Sequence, residues 1–292
     1  MILQLVNSCD NRYRKSKCWL CSYRKNCPHD CGKCLHYIHT PTAAPAPRKY
    51  DCGQMMDCYV CKYANKYTSE MYYALFQLKD LREKQKLNIL SIGCGPCTDL
   101  LALDLLRQNG EYSFDTLNYK GIDIDTTIWK KVLADIDSLR PQEYSFNVLE
   151  ADACTYIDTM VKDSWRPDII TLQYVFSDMQ KNSKVASIEH LLTVLGKYID
   201  SYSANTYVVC NDINLSTQYN GGREYFDGLL KKITTNTECR RYHFNNSNKT
   251  GHLNYGSEYR DNSLVITPPA SLSNYEPYMS CASAQMIIKK VN

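Results

Sequence analysis

Residues 88–99 read NILSIGCGPCTD, and this stretch decides the fold that the sequence predicts. The apolar run over residues 87–92 predicts a buried strand, and Gly93 and Gly95 then let the backbone turn sharply against a ligand. A helix begins after this loop near Thr98 or Asp99, either of which can cap its first turn. Strand, glycine loop and helix in this order indicate a ligand site at the carboxyl end of the strand.

Outward from this loop, apolar strands alternate with amphipathic helices. Further strands are predicted over residues 119–124, 145–149, 168–173, 206–211, 239–244 and 281–290, and helices over 70–86, 127–139, 184–199 and 223–233. This alternation predicts an α/β fold with a Rossmann-like, mostly parallel seven-stranded sheet and helices on both faces. A small metal-stabilised module is expected to precede it, and we divide the chain into domains at 1–66 and 67–292.

Two acidic residues follow the predicted strands that come after the glycine loop. Asp123 stands near the tip of the second strand, where a carboxylate can bind both hydroxyls of a ribose. Asp152 follows the third strand and can accept a hydrogen bond from an adenine amino group. A glycine loop followed by two such acids is far more specific than Gly-x-Gly alone. Ordinary dinucleotide binding is the rival interpretation, but the loop lacks the G-x-G-x-x-G spacing.

The segments 88–99, 119–124 (YKGIDI), 150–154 (EADAC) and 167–174 (PDIITLQY) resemble motifs of the class I S-adenosylmethionine-dependent methyltransferases. The resemblance covers roughly residues 70–292 and implies methyl transfer from S-adenosylmethionine. It places the glycine loop beside the methionine moiety, the second-strand acid on the ribose and the next motif on the adenine. The donor-binding residues that it implies are Gly93, Cys94, Gly95, Asp123, Ile124, Asp152, Ala153 and Gln173.

The chain departs from the family pattern at two positions. Ser91 stands where the family often has an acid that orients the donor's amino group, and Pro96 and Cys97 stand where a third glycine is common. The catalytic residue is not determined by the sequence. Its candidates, each also interpretable as structural, are Tyr174, Asp178 and Asp212. Methyl transfer is an in-line displacement from a sulfonium, so positioning can suffice without a strong base.

Eight of the fifteen cysteines lie between residues 18 and 61. They are Cys18, Cys21, Cys27, Cys31, Cys34, Cys52, Cys58 and Cys61. Their CxxC pairs suit tetrahedral zinc, and eight thiolates suffice for two ions. Because the stretch contains few aliphatic residues, we expect metal to supply its folding free energy. An iron–sulfur cluster on the spacing Cys27-x3-Cys31-x2-Cys34, disulfides or free thiols stay open, and His29, His36 or His39 could replace a cysteine.

The same front segment is strongly basic. Residues 11–66 hold eleven Lys or Arg against three acids, whereas the rest of the chain has an acidic excess. We therefore expect a nucleic-acid partner, with RNA favoured, although thiolate-rich zinc sites would themselves attract basic neighbours. The alternatives are a small-molecule or protein substrate covered by the front segment as a structural lid, and a non-catalytic scaffold that binds the donor.

The mostly apolar run at residues 1–6 lacks a basic lead and is far shorter than a secretory signal, so we do not expect it to act as one. No stretch approaches the roughly 20 apolar residues of a membrane span. We therefore expect a cytoplasmic protein with reduced thiols. Several tyrosines precede the glycine loop, among them Tyr63 and Tyr67. They are expected either to stack on a base or to pack the front segment against the sheet.

Overall fold

The computed structural model describes residues 1–15, 30–40, 48–160, 165–182, 184–202, 205–244 and 254–291, and within them the strands form one eight-stranded sheet. The strands are β1 (Lys86–Ile92), β2 (Thr116–Asp123), β3 (Tyr144–Glu150), β4 (Ile169–Gln173), β5 (Tyr207–Ile213), β6 (Thr237–Phe244), β7 (Ser257–Tyr259) and β8 (Ser283–Lys290). Their order is β3-β2-β1-β4-β5-β8-β6-β7. Strands β1 to β5 are parallel, and β8 runs antiparallel between β5 and β6.

The helices of the described residues cover both faces of this sheet. They are α1 (Ile2–Lys15), α2 (Cys31–His39), α3 (Gly53–Phe76), α4 (Thr98–Gln108), α5 (Thr126–Leu139), α6 (Ala153–Met160), α7 (Val175–Lys181), α8 (Val185–Asp200) and α9 (Glu224–Lys232). Helices α1 to α5 supply side chains to the buried cluster on one face, and α6 to α9 to the cluster on the other. None of these helices combines the length and apolar character needed to cross a membrane.

Alternation along the strands produces the two clusters. Ile89 of β1 is buried on the face of α3 to α5, whereas its neighbour Leu90 is buried on the face of α8 and α9. A strand that is buried on both faces, such as β1, is encoded by a nearly continuous run of apolar residues. Such a run can be recognised in the sequence. The α/β, Rossmann-like, mostly parallel sheet is therefore confirmed.

The predicted number of strands is wrong, since the sheet has eight rather than seven. The additional strand is β7, which has three residues and pairs in parallel with the outer edge of β6. It lies in a segment rich in Asn, Ser and Tyr, where no apolar alternation announces a strand. Its pairing with β6 is a tertiary contact that local sequence does not encode.

Helix α3 differs most from its prediction. It runs from Gly53 to Phe76, so it begins well before the predicted residue 70 and ends ten residues before 86. A 3₁₀ turn, Lys79–Leu81, follows it. The predicted domain boundary after residue 66 therefore falls inside one continuous helix.

The front segment shares its core with the rest of the molecule. Leu35 and Met56 are fully buried in the same cluster as Leu87 of β1. The expectation that this segment has too few apolar side chains for a core is wrong for its described part. Helices α2 and α3 bury those side chains against the sheet domain, so the segment needs no separate interior.

Polar contacts hold α1 onto the body. The amino group of Met1 lies 3.1 Å from Asp104 of α4, and the Arg12 guanidinium lies 2.7 Å from the buried Asp57 of α3. Arg12 also pairs with Asp135 of α5. One arginine thus joins three helices, and the guanidinium balances a carboxylate that would otherwise be buried unpaired.

Candidate active site

A cavity of about 1110 Å³ opens where β1, β2 and β4 end. The chain passes from β1 to β2 on one side and returns to β4 on the other, and ligands of such sheets bind in the crevice at this switch point. Sequence-predicted residues that line the cavity are Gly93, Cys94, Gly95, Asp123, Ile124, Asp152, Ala153, Gln173, Tyr174 and Asp178. Asp212 does not line it. The volume lies at the upper end of the roughly 300–1,000 Å³ common for ligand sites.

The glycine loop has the backbone that the sequence predicts. Gly93 and Gly95 adopt φ angles of +63° and +44°, in the left-handed region that favours glycine. A Cβ on Gly93 would lie 2.8 Å from Cγ2 of Val175, the first residue of α7. The Cys94 amide donates to the Ile122 carbonyl at 3.0 Å, which fixes the loop to β2. Small residues are thus required where the loop passes between β2 and α7.

Asp123 is positioned by the loop that it faces. Its two carboxylate oxygens accept hydrogen bonds from the Gly95 amide at 2.9 Å and the Asp125 amide at 3.2 Å. Burial raises the pKa of Asp123 to about 6, although both amides favour the ionised form. The next side chain, Ile124, is 67% exposed where it lines the cavity. A carboxylate and an uncovered apolar side chain therefore stand together at the tip of β2.

Asp152 and Ala153 lie beyond β3, at the start of α6. One Asp152 oxygen accepts hydrogen bonds from the amide and hydroxyl of Thr155, at 3.0 and 3.1 Å. This is the geometry of a helix cap, in which a side-chain oxygen satisfies an otherwise unbonded amide. The cap holds the Asp152 carboxylate at the rim of the cavity, where the sequence predicts an adenine contact.

The sequence suggests Thr98 or Asp99 as the cap of α4, but Cys97 occupies that position with a φ of 52° and forms no side-chain cap bond. The Asp99 carboxylate is buried, and it accepts hydrogen bonds from the Leu100 amide at 2.9 Å and from the hydroxyls of Tyr119, at 2.9 Å, and Thr171. Asp99 and Ser91 both line the cavity. Asp99 therefore supplies a buried carboxylate at the glycine loop, where Ser91 stands in place of the acid that the family often has.

Helix α3 meets the end of β4 through Gln173 and Tyr174. Gln173 donates to the Tyr67 carbonyl at 2.9 Å and accepts from Thr98. The Tyr174 hydroxyl donates to Glu70 at 2.7 Å and accepts from Lys66 at 2.9 Å. The rings of Tyr67 and Tyr174 stack with centroids 4.2 Å apart. Lys66 and Glu70 were not predicted as site residues, although their i,i+4 spacing places them on one helix face.

The two candidate carboxylates have different surroundings. Asp178 of α7 lines the cavity, and burial raises its pKa while Lys181 and Lys184 lower it. Asp212 is 1% exposed, accepts from the amides of Ser177 and Ile213, and has a pKa that burial raises to about 6. This geometry favours the structural interpretation of Asp212, which holds the start of α7 in place.

The front segment supplies part of the cavity wall. Aromatic side chains of this wall and its surroundings are Tyr50, Tyr59, Tyr63, Tyr67, Trp129 and Tyr278. His39 lies 2.8 Å from the Tyr50 hydroxyl and stacks on Tyr63 at 5.3 Å. Burial, together with the charges of Lys181, Lys62 and Lys66, lowers the pKa of His39 to about 3. His39 is thus a neutral part of the wall.

The predicted metal ligands occupy α2 and α3 or lie outside the described residues. Cys31 begins α2, Cys52 caps α3 and Cys58 lies within it, and all three are buried. Burial raises the pKa of the Cys58 thiol to about 12. In the described part of the chain no three His, Cys, Asp or Glu side chains are arranged to hold a metal ion. The ligands predicted at Cys18, Cys21 and Cys27, with the alternative His29, lie outside that part.

The other predicted ligands, Cys34 and Cys61, also show no metal arrangement: Cys34 is half-buried on α2 and Cys61 is fully buried on α3. His36 lies in the last turn of α2, as does the cavity residue His39. The described cysteines therefore do not by themselves fit a zinc or iron–sulfur site, and the metal module stays a prediction. Elemental analysis of anaerobically purified protein tests it.

No family model and no curated protein matches the chain. Solved structures with a similar fold include a methyltransferase dependent on S-adenosylmethionine from Archaeoglobus fulgidus, at 16% identity and a TM-score of 0.44 over 76% of this chain and 94% of that one. The plantazolicin methyltransferase BpumL, solved with S-adenosylhomocysteine, matches at 14% identity with a TM-score of 0.44 over the whole of both chains. A putative class I methyltransferase from Listeria monocytogenes matches at 11% identity with a TM-score of 0.45, over 100% of this chain and 88% of that one. At identities of 11–16% the likeness to these methyltransferases is one of fold alone.

Proposed function

We propose that the chain is an S-adenosylmethionine-dependent methyltransferase. The observation that carries the proposal is the joint position of the glycine loop and Asp123. The Gly95 amide donates to the Asp123 carboxylate across the carboxyl ends of β1 and β2, at the switch point of the sheet. A nucleoside held there would place its ribose on the carboxylate and its base on the exposed Ile124.

The residues around this loop suit the rest of the donor. Gly93 and Gly95 leave a cradle that a Cβ would fill, and the backbone can there approach a ligand closely. The donor carries a sulfonium and an ammonium group, which buried Asp99 and the nearby Asp123 would offset. When bound, S-adenosylmethionine supplies an activated methyl group on sulfur.

The chain's own contribution to the reaction is mainly positioning. Gln173 is held at both ends of its amide, and Tyr174 lies between Lys66 and Glu70. Burial keeps the pKa of Tyr174 well above its ordinary value, so its hydroxyl donates rather than acts as a phenolate. Asp178, with its raised pKa, is the cavity carboxylate best placed to take a proton from an acceptor.

We further propose that the acceptor is a small molecule, the alternative to RNA. The wall opposite the donor half comes from α2 and α3, so the front segment covers the acceptor space. Its basic side chains also have internal partners. Arg12 pairs with Asp57, Lys66 with Glu70 at 3.4 Å and Lys62 with Glu276 at 3.8 Å. These pairs reduce the charge available to a phosphate backbone.

Titration calorimetry with S-adenosylhomocysteine tests the donor site. We expect the native protein to bind the nucleoside and Asp123→Asn to bind it at least about tenfold more weakly. Asp158→Asn, an exposed change on α6, is the matched control and should bind normally. Absence of binding to the native protein would refute the proposal.

Transfer of tritiated methyl groups to separated fractions of a cell extract tests the acceptor. We expect label in the small-molecule fraction. Label in RNA, lost at high salt, would support the nucleic-acid alternative, since phosphate contacts release counterions. Donor binding without transfer to any fraction would favour the non-catalytic scaffold.

A further inference from the structure

The charges that line the cavity are sorted into two halves. The acids are Asp99, Asp123, Asp125, Asp152 and Asp178, and the bases are Arg48, Lys49, Lys66, Lys181 and Lys184. Four of the acids belong to the loops and helix starts after β1, β2 and β3, on the donor side. The bases belong to the front segment and to α7 and its end. The acceptor half of the cavity is thus the positive half.

Lysines from two different helices line this half of the cavity. Lys66 belongs to α3 and Lys181 to α7. Burial lowers the pKa of Lys181, an effect that the charges of Asp178 and Asp212 partly oppose. A partly buried ammonium in this position would be stabilised by an anion on a ligand.

The same half is lined by flat aromatic surfaces. Tyr63 stacks on Tyr67 at 5.4 Å, and Tyr67 stacks on Tyr174. The Lys66 ammonium lies 5.3, 5.2 and 5.0 Å from the ring centroids of Tyr67, Tyr174 and Tyr278. Tyr278 is 46% exposed, so its ring is open at the mouth of the cavity. Because Tyr278 also stacks on Tyr63, at 5.6 Å, its exposed ring ends the tyrosine stack and offers a surface on which a planar ligand can stack.

We propose that the acceptor half binds a flat aromatic small molecule that carries a carboxylate or a similar anionic group. The ring lies along the tyrosine wall, and the anion faces Lys181. The proposal rests on the proposed methyltransferase function, because it assigns the other half of the cavity to the donor. Binding of this class of acceptor requires both the lysine cation and the tyrosine rings of the cavity.

Calorimetry with three probes tests this assignment on the full chain, with S-adenosylhomocysteine present to fill the donor half. The probes are naphthalene-2-carboxylate, which is flat and anionic, 2-naphthylmethylamine, which is flat and cationic, and cyclohexanecarboxylate, which is anionic but not flat. We expect the naphthalene carboxylate to bind at least about tenfold more tightly than either of the others. Equal binding of all three, or preference for the amine, would overturn the proposal.

Variants separate this inference from the donor site. Lys181→Met should weaken naphthalene-2-carboxylate binding by about tenfold and leave S-adenosylhomocysteine binding unchanged. Lys197→Met, which removes the same charge from the exposed side of α8, should change neither. If Lys181→Met does not weaken the carboxylate, the inference fails while donor binding stands. If the carboxylate binds but S-adenosylhomocysteine does not, the proposed function fails while the anion site stands.

Discussion

Asp123 combines two properties that suit a carboxylate for binding a ligand. Two backbone amides orient it, and burial raises its pKa to about 6. The amides fix the oxygens towards the cavity, so a ligand meets a pre-organised acceptor. The raised pKa means that this acceptor is ionised at neutral pH and becomes protonated in mild acid.

Donor affinity should therefore depend on pH through Asp123. We expect S-adenosylhomocysteine to bind progressively more weakly as the pH falls below about 6, because a protonated carboxyl no longer accepts at both oxygens. Asp123→Asn should be weak throughout and lack this dependence. Calorimetry across the pH range gives the comparison. An unchanged pH profile in the variant would show that another group titrates.

The effect on stability has the opposite sign. Because burial places the folded pKa above the ordinary 3.8, the stabilising contribution of this group is present below that value and lost as the pH rises through about 6. Asp123→Asn should thus unfold no more easily than the native protein at neutral pH. A lower urea midpoint for the variant would instead point to lost amide hydrogen bonds.

Gly93 offers a second test at the scale of one residue. Gly93→Ala should destabilise the protein by more than about 1–2 kcal/mol, because the left-handed φ adds to the clash with Val175. Gly110 has a φ of +74° with no atom within 4 Å of an added Cβ, so Gly110→Ala reports backbone strain alone. Urea unfolding compares the two variants. An equal loss of unfolding free energy in the two variants would contradict the packing described for the loop. Unchanged donor binding by Gly93→Ala would contradict it as well.

At the scale of elements, α3 is the helix that connects the front segment to the sheet. Its Glu70 is fully buried and accepts hydrogen bonds from Tyr174, the Ala282 amide and Asn211, at 2.7, 2.9 and 3.3 Å. Gln285 of β8 donates to the Glu70 carbonyl and to Asn211. This buried polar network joins α3 to β5, to β8 and to the end of β4. It fixes the position of the helix relative to the sheet.

Removal of the Glu70 carboxylate should be costly. We expect Glu70→Ala to lower the free energy of unfolding by about 3–5 kcal/mol, since Lys66 then loses its buried partner and the Tyr174 hydroxyl its acceptor. Glu83→Ala, at an exposed position after the helix, should change it by less than about 0.5 kcal/mol. Urea denaturation measures both. A small effect of Glu70→Ala would mean that the network does not hold the helix.

At the scale of the whole molecule, the front segment and the sheet share one apolar cluster. Leu5 and Leu35 belong to the same cluster as Ile89 and Leu117 of the sheet. Two parts that share an interior lose it together, so they are expected to unfold together. This packing also explains how a segment rich in cysteine becomes a cavity wall.

We expect Leu5→Ala in α1 to shift the unfolding of the entire chain. Leu5 is fully buried, and its truncation should cost about 2–5 kcal/mol in a single transition seen alike by circular dichroism and tryptophan fluorescence. Leu3→Ala on the same helix is the control, since Leu3 is 47% exposed. A separate early transition, with the main midpoint unchanged, would instead support an independent module over residues 1–66.

The sequence by itself determined most of the sheet and the position of the glycine loop and of the acids near the tips of β2 and β3. Strands β1, β4 and β5 are largely apolar runs, β2 and β3 alternate, and the loop at Gly93 and the acids near the tips of β2 and β3 lie next to these strands in the chain. Such features are local, because backbone turns and strand tips are encoded by neighbouring residues. The donor-binding roles of these residues stay predictions until binding is measured.

Only the tertiary structure decided what lies opposite the donor half. Lys66 meets Tyr174, and Glu70 meets Asn211, across more than a hundred residues of sequence. Helix α3 was predicted with the wrong bounds, because cysteines and tyrosines obscured its apolar face. Contacts between distant segments depend on how whole helices and strands pack, and local sequence patterns do not encode that packing. The charge and shape of the acceptor space therefore became visible only in the folded molecule.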